Sequence, residues 1–344
     1  MGTTDQRISP EKVTVLLPVY NAAAYVKEAV ESILAQTYRD FELLIVEDAS
    51  TDDSLKIIQA ITDDRIRIVR NPENLGITPS LNKGIRLARY ALIARMDADD
   101  ISHPWRLEKQ VAYLQKHPDC AMLATWVRLI DHTGTYLRTE GINREFLYYT
   151  LNFECCIMHS TVMFRKTYLE AVGGYQKAYS EDFDLFWRIS RRYKISAIDE
   201  PLVFYRLHDQ NTNTVSRKTE YEIANIENLV RNIRCYTDGE TPVPMEYLEC
   251  YRNNFSPILA EGNLKKINSC LDLLDRISAN MLVTENPNRE ADAIRYIWAF
   301  KKKYILTSLS LQLPVFKMLS LLSQQRAYRL AVKLTLKRVI KMIR

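Results

Sequence analysis

Apolar residues in the first half of the chain fall into two alternating rhythms. Val13-Thr14-Val15-Leu16-Leu17 is a short β-branched and apolar run, the signature of a buried strand. From Asn21 to Gln36, apolar positions recur at Ala22, Tyr25, Val26, Ala29, Val30, Ile33 and Leu34, which is helical spacing. Phe41 to Val46 predicts a second strand. Thr51 to Ile61 predicts a second helix, with Ser50 or Thr51 as N-cap and Asp52 and Asp53 in its first turn. Ile66 to Val69, Pro79 to Arg89 and Ala91 to Met96 continue the series as strand, helix and strand. Such alternation predicts βαβ units on a parallel sheet.

The middle of the chain is mixed. His103 to His117 predicts a helix with Pro104 in its first turn, and Ser180 to Arg192 another. Ala121 to Ile130, Ile157 to Phe164, Ile195 to Ile198 and Leu202 to Tyr205 predict strands. Beyond about Ser216 the strand signals stop, and segments near 217–236, 244–260, 263–281 and 288–311 predict helices. A boundary is expected near Thr212-Asn213-Thr214, dividing an α/β catalytic domain, 1–215, from an all-helical region, 216–344.

Charge changes this picture. The last 52 residues hold twelve Lys and Arg and no acid, so the net +5 of the chain leaves −7 on residues 1–292. Arg326, Arg329, Lys333, Lys337, Lys341 and Arg344 step by three or four, one stripe on a final helix. Tyr328, Leu330, Val332, Leu334, Leu336, Val339, Ile340 and Ile343 fill much of the rest. A basic amphipathic helix can lie on an anionic bilayer. The plainer alternative is a helix packed on its own domain with the basic side in water. Met1 to Pro10 is polar, without an apolar signal region. No uncharged run reaches the roughly 18 residues of a spanning helix; Tyr304 to Ser323 is broken by Pro314 and Lys317. Six scattered cysteines form neither a disulfide framework nor a zinc pattern and fit a reducing cytosol.

The chemistry gathers where strands end. In an open parallel sheet, ligands bind outside the carboxyl ends of the strands. Pro18-Val19-Tyr20-Asn21 follows the first strand, Glu47-Asp48-Ala49-Ser50-Thr51-Asp52 the second, and Arg95-Met96-Asp97-Ala98-Asp99-Asp100 the fourth. Clustered carboxylates repel unless a cation or hydrogen-bond donors compensate. Asp97 and Asp99, two residues apart, project to one side and can share a hard divalent cation. The plainer reading is an acidic turn before the next helix.

These elements occur together with Ser32-Ile33-Leu34-Ala35-Gln36-Thr37-Tyr38, Asn74-Leu75-Gly76, Asn82-Lys83-Gly84, Gly173-Gly174-Tyr175, Ser180-Glu181-Asp182-Phe183-Asp184-Leu185 and Tyr205-Arg206-Leu207-His208. In this order, over about residues 12–210, they resemble family 2 glycosyltransferases of the GT-A fold: a Rossmann-like, mainly parallel sheet flanked by helices, here with a C-terminal helical extension. The resemblance implies a bacterial polysaccharide-assembly enzyme that transfers a hexose or N-acetylhexosamine, with inversion, from a nucleotide-diphosphate sugar. The donor would be a UDP-sugar first, with thymine or guanine left open, and the acceptor a hydroxyl of a growing glycan or lipid-linked saccharide. It implies nucleobase contacts at Pro18, Tyr20 and Asp48, and donor-site roles for Asn21, Asn74, Gly76 and Asn82. Asp97 would stand near the ribose and Arg95 near phosphate, the plainer reading of Arg95 being a surface ion pair with Asp97 or Asp100. Asp99 and His208 would meet a divalent metal, Mn2+ or Mg2+. Glu181-Asp182 would supply the base, Asp182 before Glu181. Glu47 and Ala49 depart mildly from the family's usual Asp and Gly.

Other readings compete. Asp184 pairs more simply with Arg188 four residues on, and His159 is a weaker candidate for the acceptor side. A nucleic-acid partner is opposed by the acidic first 292 residues. A non-catalytic nucleotide-sugar or carbohydrate-binding protein of the same fold would need no base. Neither GxxxxGK[ST] nor GxGxxG occurs, so kinase and dehydrogenase readings lack their phosphate cradle. The expected location is cytoplasmic, peripheral on the inner membrane; homo-oligomerisation is left open.

Overall fold

The computed structural model describes residues 11–208 and 217–343, with side chains through Arg338. Met1–Pro10, the expected boundary at Thr212–Thr214, Arg344 and the side chains of Val339, Ile340, Lys341 and Ile343 lie outside the described residues. The chain forms two compact units. The first comprises residues 1–147 and 155–224, the second residues 148–154 and 225–344.

In the first unit, β1 (Val13–Val19), β2 (Phe41–Glu47), β3 (Ile66–Arg70) and β4 (Leu92–Arg95) lie in the order β3-β2-β1-β4, all parallel. They alternate with α1 (Val26–Leu34), α2 (Ser54–Gln59) and α3 (Ile77–Leu87). Every residue of β1, β2 and β4 is buried, which is why these strands read as apolar runs rather than alternations. Strand order reverses direction between β1 and β4, the switch point at whose carboxyl edge open α/β sheets bind their ligands.

The sheet then becomes mixed. After β5 (Ile101–Ser102) and α4 (Arg106–Lys116) come β6 (Cys120–Ile130), β7 (Tyr136–Glu140), α5 (Leu147–Thr150), β8 (Met163–Arg165), α6 (Lys166–Ala171), α7 (Glu181–Arg192) and β9 (Lys194–Arg206). The path β4-β8-β6-β9-β5 completes the sheet, with β7 on β6; β8 is antiparallel to β4 and to β6.

The structure differs from the sequence expectation in three places. Residues 157–164 are not one strand: His159–Thr161 is a 3-10 turn before the short β8. The polar side chains there bond locally, Thr161 Oγ1 to the Met158 carbonyl at 2.7 Å. The two short strands near 195–205 are one strand, β9, whose register with β6 shifts between Thr125 and Val127, opposite Pro201. The second helix begins at Ser54, because Asp52 accepts hydrogen bonds from the Ser54 and Ala23 amides and keeps the preceding residues in a loop.

Gly84 on α3 shows how closely helix and sheet approach. A Cβ there would come within 2.2 Å of the buried Leu16 Cδ1. Overpacking of about 1–3 kcal/mol outweighs the roughly 1 kcal/mol an alanine gains in a helix. Gly84→Ala is therefore expected to lower Tm by a few degrees in a thermal melt; an unchanged or raised Tm would mean that Leu16 repacks freely.

In the second unit the helices are α8 (Lys218–Arg234), which begins in the first, α9 (Met245–Tyr251), α10 (Ser256–Ala260), α11 (Leu264–Val283), α12 (Ala291–Gln312), α13 (Val315–Gln324) and α14 (Tyr328–Ile343). No strand occurs among its described residues. Tyr149, Phe153, Tyr236, Tyr251, Ile277 and Leu309 are among the residues of its core, and the Tyr149 hydroxyl lies 2.9 Å from Ser278 Oγ. The helix expected over 244–260 is interrupted where Asn253 turns to φ +68°.

Candidate active site

The loops after β1 and β2 are fastened to each other. The Asn21 amide donates to Ser50 Oγ, the Thr51 amide to Asn21 Oδ1 at 2.8 Å, and the Ala22 amide to Ser54 Oγ. Asn21 thus spends its side-chain oxygen on the opposite loop, at φ +47°. Ala49, where the resemblance expects glycine, has φ +56°, the left-handed region that glycine enters without cost. Glu47 accepts from the Ser50 amide and pairs with Arg70 at 3.1 Å, so the longer acid still closes its loop. Tyr20, close behind the buried Pro18, is 47% exposed, leaving its ring face available for stacking.

Asp48 is buried beside them. Its Oδ1 accepts from Asn71 Nδ2 at 2.6 Å and the Leu75 amide at 3.0 Å, and Oδ2 from the Gly76 amide at 2.9 Å. Asp48 therefore organises the loop that carries the exposed Asn74, and Gly76, at φ +89°, opens α3. Asn82 is used differently from the donor contact expected of it. Its Oδ1 accepts from the Tyr175 amide at 3.0 Å and its Nδ2 donates to the Tyr175 carbonyl at 2.8 Å, clasping the Gly173-Gly174 turn. Losing both bonds costs about 2 kcal/mol. Asn82→Ala is expected to lower Tm by several degrees; no change would show that the turn holds without the clasp.

Beyond β4 the acids converge. Single oxygens of Asp97, Asp99 and Asp100 lie within 4.8 Å of one another. Asp97 Oδ2 accepts from Ser160 Oγ at 2.9 Å and forms an ion pair with Arg95. Arg95 is only 3% exposed and turned toward Asp97, not toward the solvent side where a phosphate contact was expected. Burial opposes its charge, but Asp97 and then Asp100 outweigh that and hold the guanidinium protonated. Its Nε is buried without a partner among the described residues. Asp100 is buried, its Oδ1 accepting from the Arg206 amide at 2.8 Å and its Oδ2 without a hydrogen-bond partner among the described residues. Burial, then Asp99 and Asp97, push its carboxyl well above the usual range.

His208 Nε2 stands 2.9 Å from Asp99 Oδ2, and its ring lies on Tyr25, centroids 4.9 Å apart. Arg206 reinforces this corner from β9, donating from Nε to the Asp99 carbonyl at 2.9 Å and pairing with Glu28. Three carboxylates and an imidazole, with one carboxylate oxygen lacking any donor, form an oxygen-rich set that fits a hard divalent cation.

The second acid group opens α7. Ser180 occupies the N-cap position in the left-handed conformation, φ +53°, and its hydroxyl makes no capping bond, contrary to expectation. Asp182 Oδ1 accepts from the Phe183 amide at 2.7 Å, and Cys155 Sγ points at its Oδ2 from 3.8 Å. Glu181 lies deeper: Oε2 is buried without a partner among the described residues, and Oε1 is 3.8 Å from His159 Nδ1. Burial drives His159 well below its ordinary pKa, so the imidazole is neutral; its Nε2 sits 2.6 Å from the Tyr175 hydroxyl. Burial, then the Asp182 charge, push Glu181 up to about 8. Asp182 is also raised by burial, with the Phe183 amide and Arg95 working the other way. Asp184 makes the expected bridge to Arg188 at 2.7 Å.

Sequence reasoning singled out the acids and passed over their supports. Ser160, Asn71 and Tyr175 fix Asp97, Asp48 and the Asn82 clasp, yet serine, asparagine and tyrosine are common in loops and carry no spacing signal. Tyr175 stood inside the Gly173-Gly174-Tyr175 run and was legible only as part of it.

A mainly parallel sheet with acids gathered at its carboxyl edge is an α/β architecture of the GT-A kind. The chain belongs to glycosyl transferase family 2, whose profile matches residues 14–173. It is 34% identical over 224 residues to the O-antigen biosynthesis glycosyltransferase WbnJ of Escherichia coli, covering 62% of this chain and 86% of WbnJ. It is 33% identical to the putative glycosyltransferase EpsE of Bacillus subtilis, covering 63% and 80%. Its fold is similar to the crystal structure of S. aureus TarS 1-349 in complex with UDP-GlcNAc, at TM-score 0.55 and 15% identity, covering 88% of this chain and 92% of that one. The protein is a glycosyltransferase.

Proposed function

We propose that this enzyme transfers a hexose or N-acetylhexosamine from a UDP-sugar to an acceptor hydroxyl on a growing surface glycan or lipid-linked saccharide, with inversion. The catalytic domain is the α/β part of the chain. The observation that carries this reading is the pairing of two acid groups of opposite character at one sheet edge. Asp97, Asp99 and Asp100 form an open cluster. Glu181-Asp182 form a buried pair beside it, both raised by burial and close enough for the Asp97 charge to act on both.

Tyr20 stacks on the base, and Pro18 and the Asp48-organised loop with Asn74 and Gly76 frame it. Asp48 retains acceptor capacity, since each carboxylate oxygen has two lone pairs. Asp99 and His208, with Asp97 close by, would hold Mn2+ or Mg2+. Such an ion, when bound, neutralises charge on a departing diphosphate. Arg95 pairs with Asp97 and orients it rather than meeting phosphate itself. Burial raises both carboxyls, Glu181 to about 8, and the base role falls to Asp182, the less buried of the two. Its carboxylate takes the proton of the attacking acceptor hydroxyl while the opposite face of the anomeric carbon loses the nucleotide. No covalent sugar-enzyme bond is needed. WbnJ, an O-antigen enzyme by name, and the UDP-GlcNAc held by TarS support the glycan context and the choice of uridine.

The test is a binding and slow-hydrolysis screen with UDP-, GDP- and dTDP-sugars in the presence of Mn2+. Saturable binding of a UDP-sugar, with GDP- and dTDP-sugars weaker, is the expected result. If none binds with any divalent ion, the donor-site roles fall and a non-catalytic member of the fold is the better account.

A further inference from the structure

The final helix does not divide into a basic face and a buried apolar face as its sequence suggested. Leu334 is buried, Leu330 and Ala331 pack against the same core, and Arg338 turns inward to donate to the carbonyls of Ser310, Leu311 and Leu313. Val332 and Leu336 point the other way, 62% and 57% exposed. They share a shallow surface groove of about 470 Å³ with Arg329, Lys333 and Lys337. These three cations have no side-chain hydrogen bond or ion pair among the described residues.

The helix before last repeats the arrangement, burying Met318, Leu321 and Leu322 and leaving Phe316 69% exposed. On α12, Tyr296, Phe300 and Tyr304 recur every fourth residue along one exposed stripe, with Lys303 exposed beside it. Half of the large exposed apolar side chains among the described residues lie between 296 and 336. No acid follows Asp292 in the sequence.

From this we infer that α12, α13 and α14 form a surface that docks on an anionic lipid bilayer, inserting Phe316, Val332 and Leu336 at headgroup depth. Charge complementarity selects this occupant. Exposed apolar and aromatic side chains interleaved with unpaired cations, over a stretch without one carboxylate, match a negatively charged interface with hydrocarbon beneath it. A second copy of the chain would bring the same cations against themselves. Long basic side chains lay their methylene stems on the apolar patch while their charges reach the headgroups. Among the described residues no helix is long and apolar enough to cross a membrane, and the contact proposed is with the surface.

The experiment is co-sedimentation of the full chain with vesicles of phosphatidylcholine alone and of phosphatidylcholine with phosphatidylglycerol. Binding is expected to the anionic vesicles and to weaken as salt rises. The triple variant Arg329→Gln, Lys333→Gln, Lys337→Gln should bind about 100-fold more weakly, at about fivefold per cation. Phe316→Ser with Leu336→Ser should weaken binding about tenfold or more without changing its salt dependence. These positions are exposed, and circular dichroism checks that the variants fold. Equal binding to both vesicle types, no binding, or indifference to the triple substitution overturns the proposal. So does self-association abolished by Leu336→Ser, or retention on heparin, without vesicle binding. The readout is lipid partition, so it succeeds or fails independently of the donor and catalytic assignments.

Discussion

Replacing Asp182 with asparagine is expected to lower kcat about 10³-fold, the middle of the range for a general base, while UDP-sugar affinity changes by less than about threefold. The carboxylate is the only part removed, and the amide keeps its size and can still accept from the Phe183 N–H. The pH profile supplies a second readout. Burial raises the Asp182 carboxyl, so transfer should fall as acidity protonates it, with the acid limb above the ordinary aspartate range. Glu181 carries a related stability signature. Its folded pKa, about 8, exceeds the 4.5 of an unperturbed glutamate, so the folded state binds the proton more tightly. That contribution is fully present below the unfolded value and is lost as pH rises through about 8. Chemical denaturation across pH 5 to 9 should therefore show a decline toward the alkaline side that Glu181→Gln lessens, the raised Asp182 and Asp100 carboxyls supplying the remainder. An Asp182→Asn enzyme with wild-type kcat would sink the assignment of the base, and equal loss in Glu181→Gln alone would transfer it to the deeper acid.

Substituting Asp99 by alanine should abolish the Mn2+ dependence of UDP binding and reduce transfer by about 10³-fold, consistent with the several kcal/mol a catalytic cation supplies. Asp99 is one-quarter exposed and reaches His208 at 2.9 Å, so its removal opens the candidate metal position without emptying a core. Calorimetric titration of UDP with and without Mn2+ checks this directly. If wild type binds UDP equally well with the metal chelated, Asp99 and His208 have another task, and their 2.9 Å contact is a structural ion pair. Asp97→Ala should behave differently. It leaves Arg95 buried without its ion pair, so a loss of stability should accompany any loss of activity.

The way the two acid groups are supported explains why substitutions in this site need paired measurements. Arg95 pairs with Asp97 and acts on Glu181 and Asp182, so one buried cation links the two acid groups. A residue so placed moves stability, proton affinity and rate together. Asp182 and Asp99 are better probes because each has one partly exposed carboxylate with few other duties.

The sequence alone determined the β1–β4 half of the sheet and the position of its chemistry. Continuous β-branched runs can only be strands covered on both faces, and parallel connectivity puts the loop after each strand at one edge. The places of Tyr20, Asp48, Asp97 and Asp99 after their strands were legible for that reason, whereas the Glu181-Asp182 pair was singled out only through the family resemblance. The pairings were decided by tertiary structure. Asn82 is matched to the Tyr175 backbone across 93 residues and Arg95 to Ser160 across 65, and no local periodicity carries such information. For Arg95 the sequence left phosphate and an ion pair with Asp97 or Asp100 both open, and only the packing buried it against Asp97. The same holds for the final helix. Its wheel of apolar and basic positions was plain, but which apolar residues face protein and which face solvent depended on where α12 and α13 packed, since hydrophobic burial is set by neighbours and not by sequence spacing.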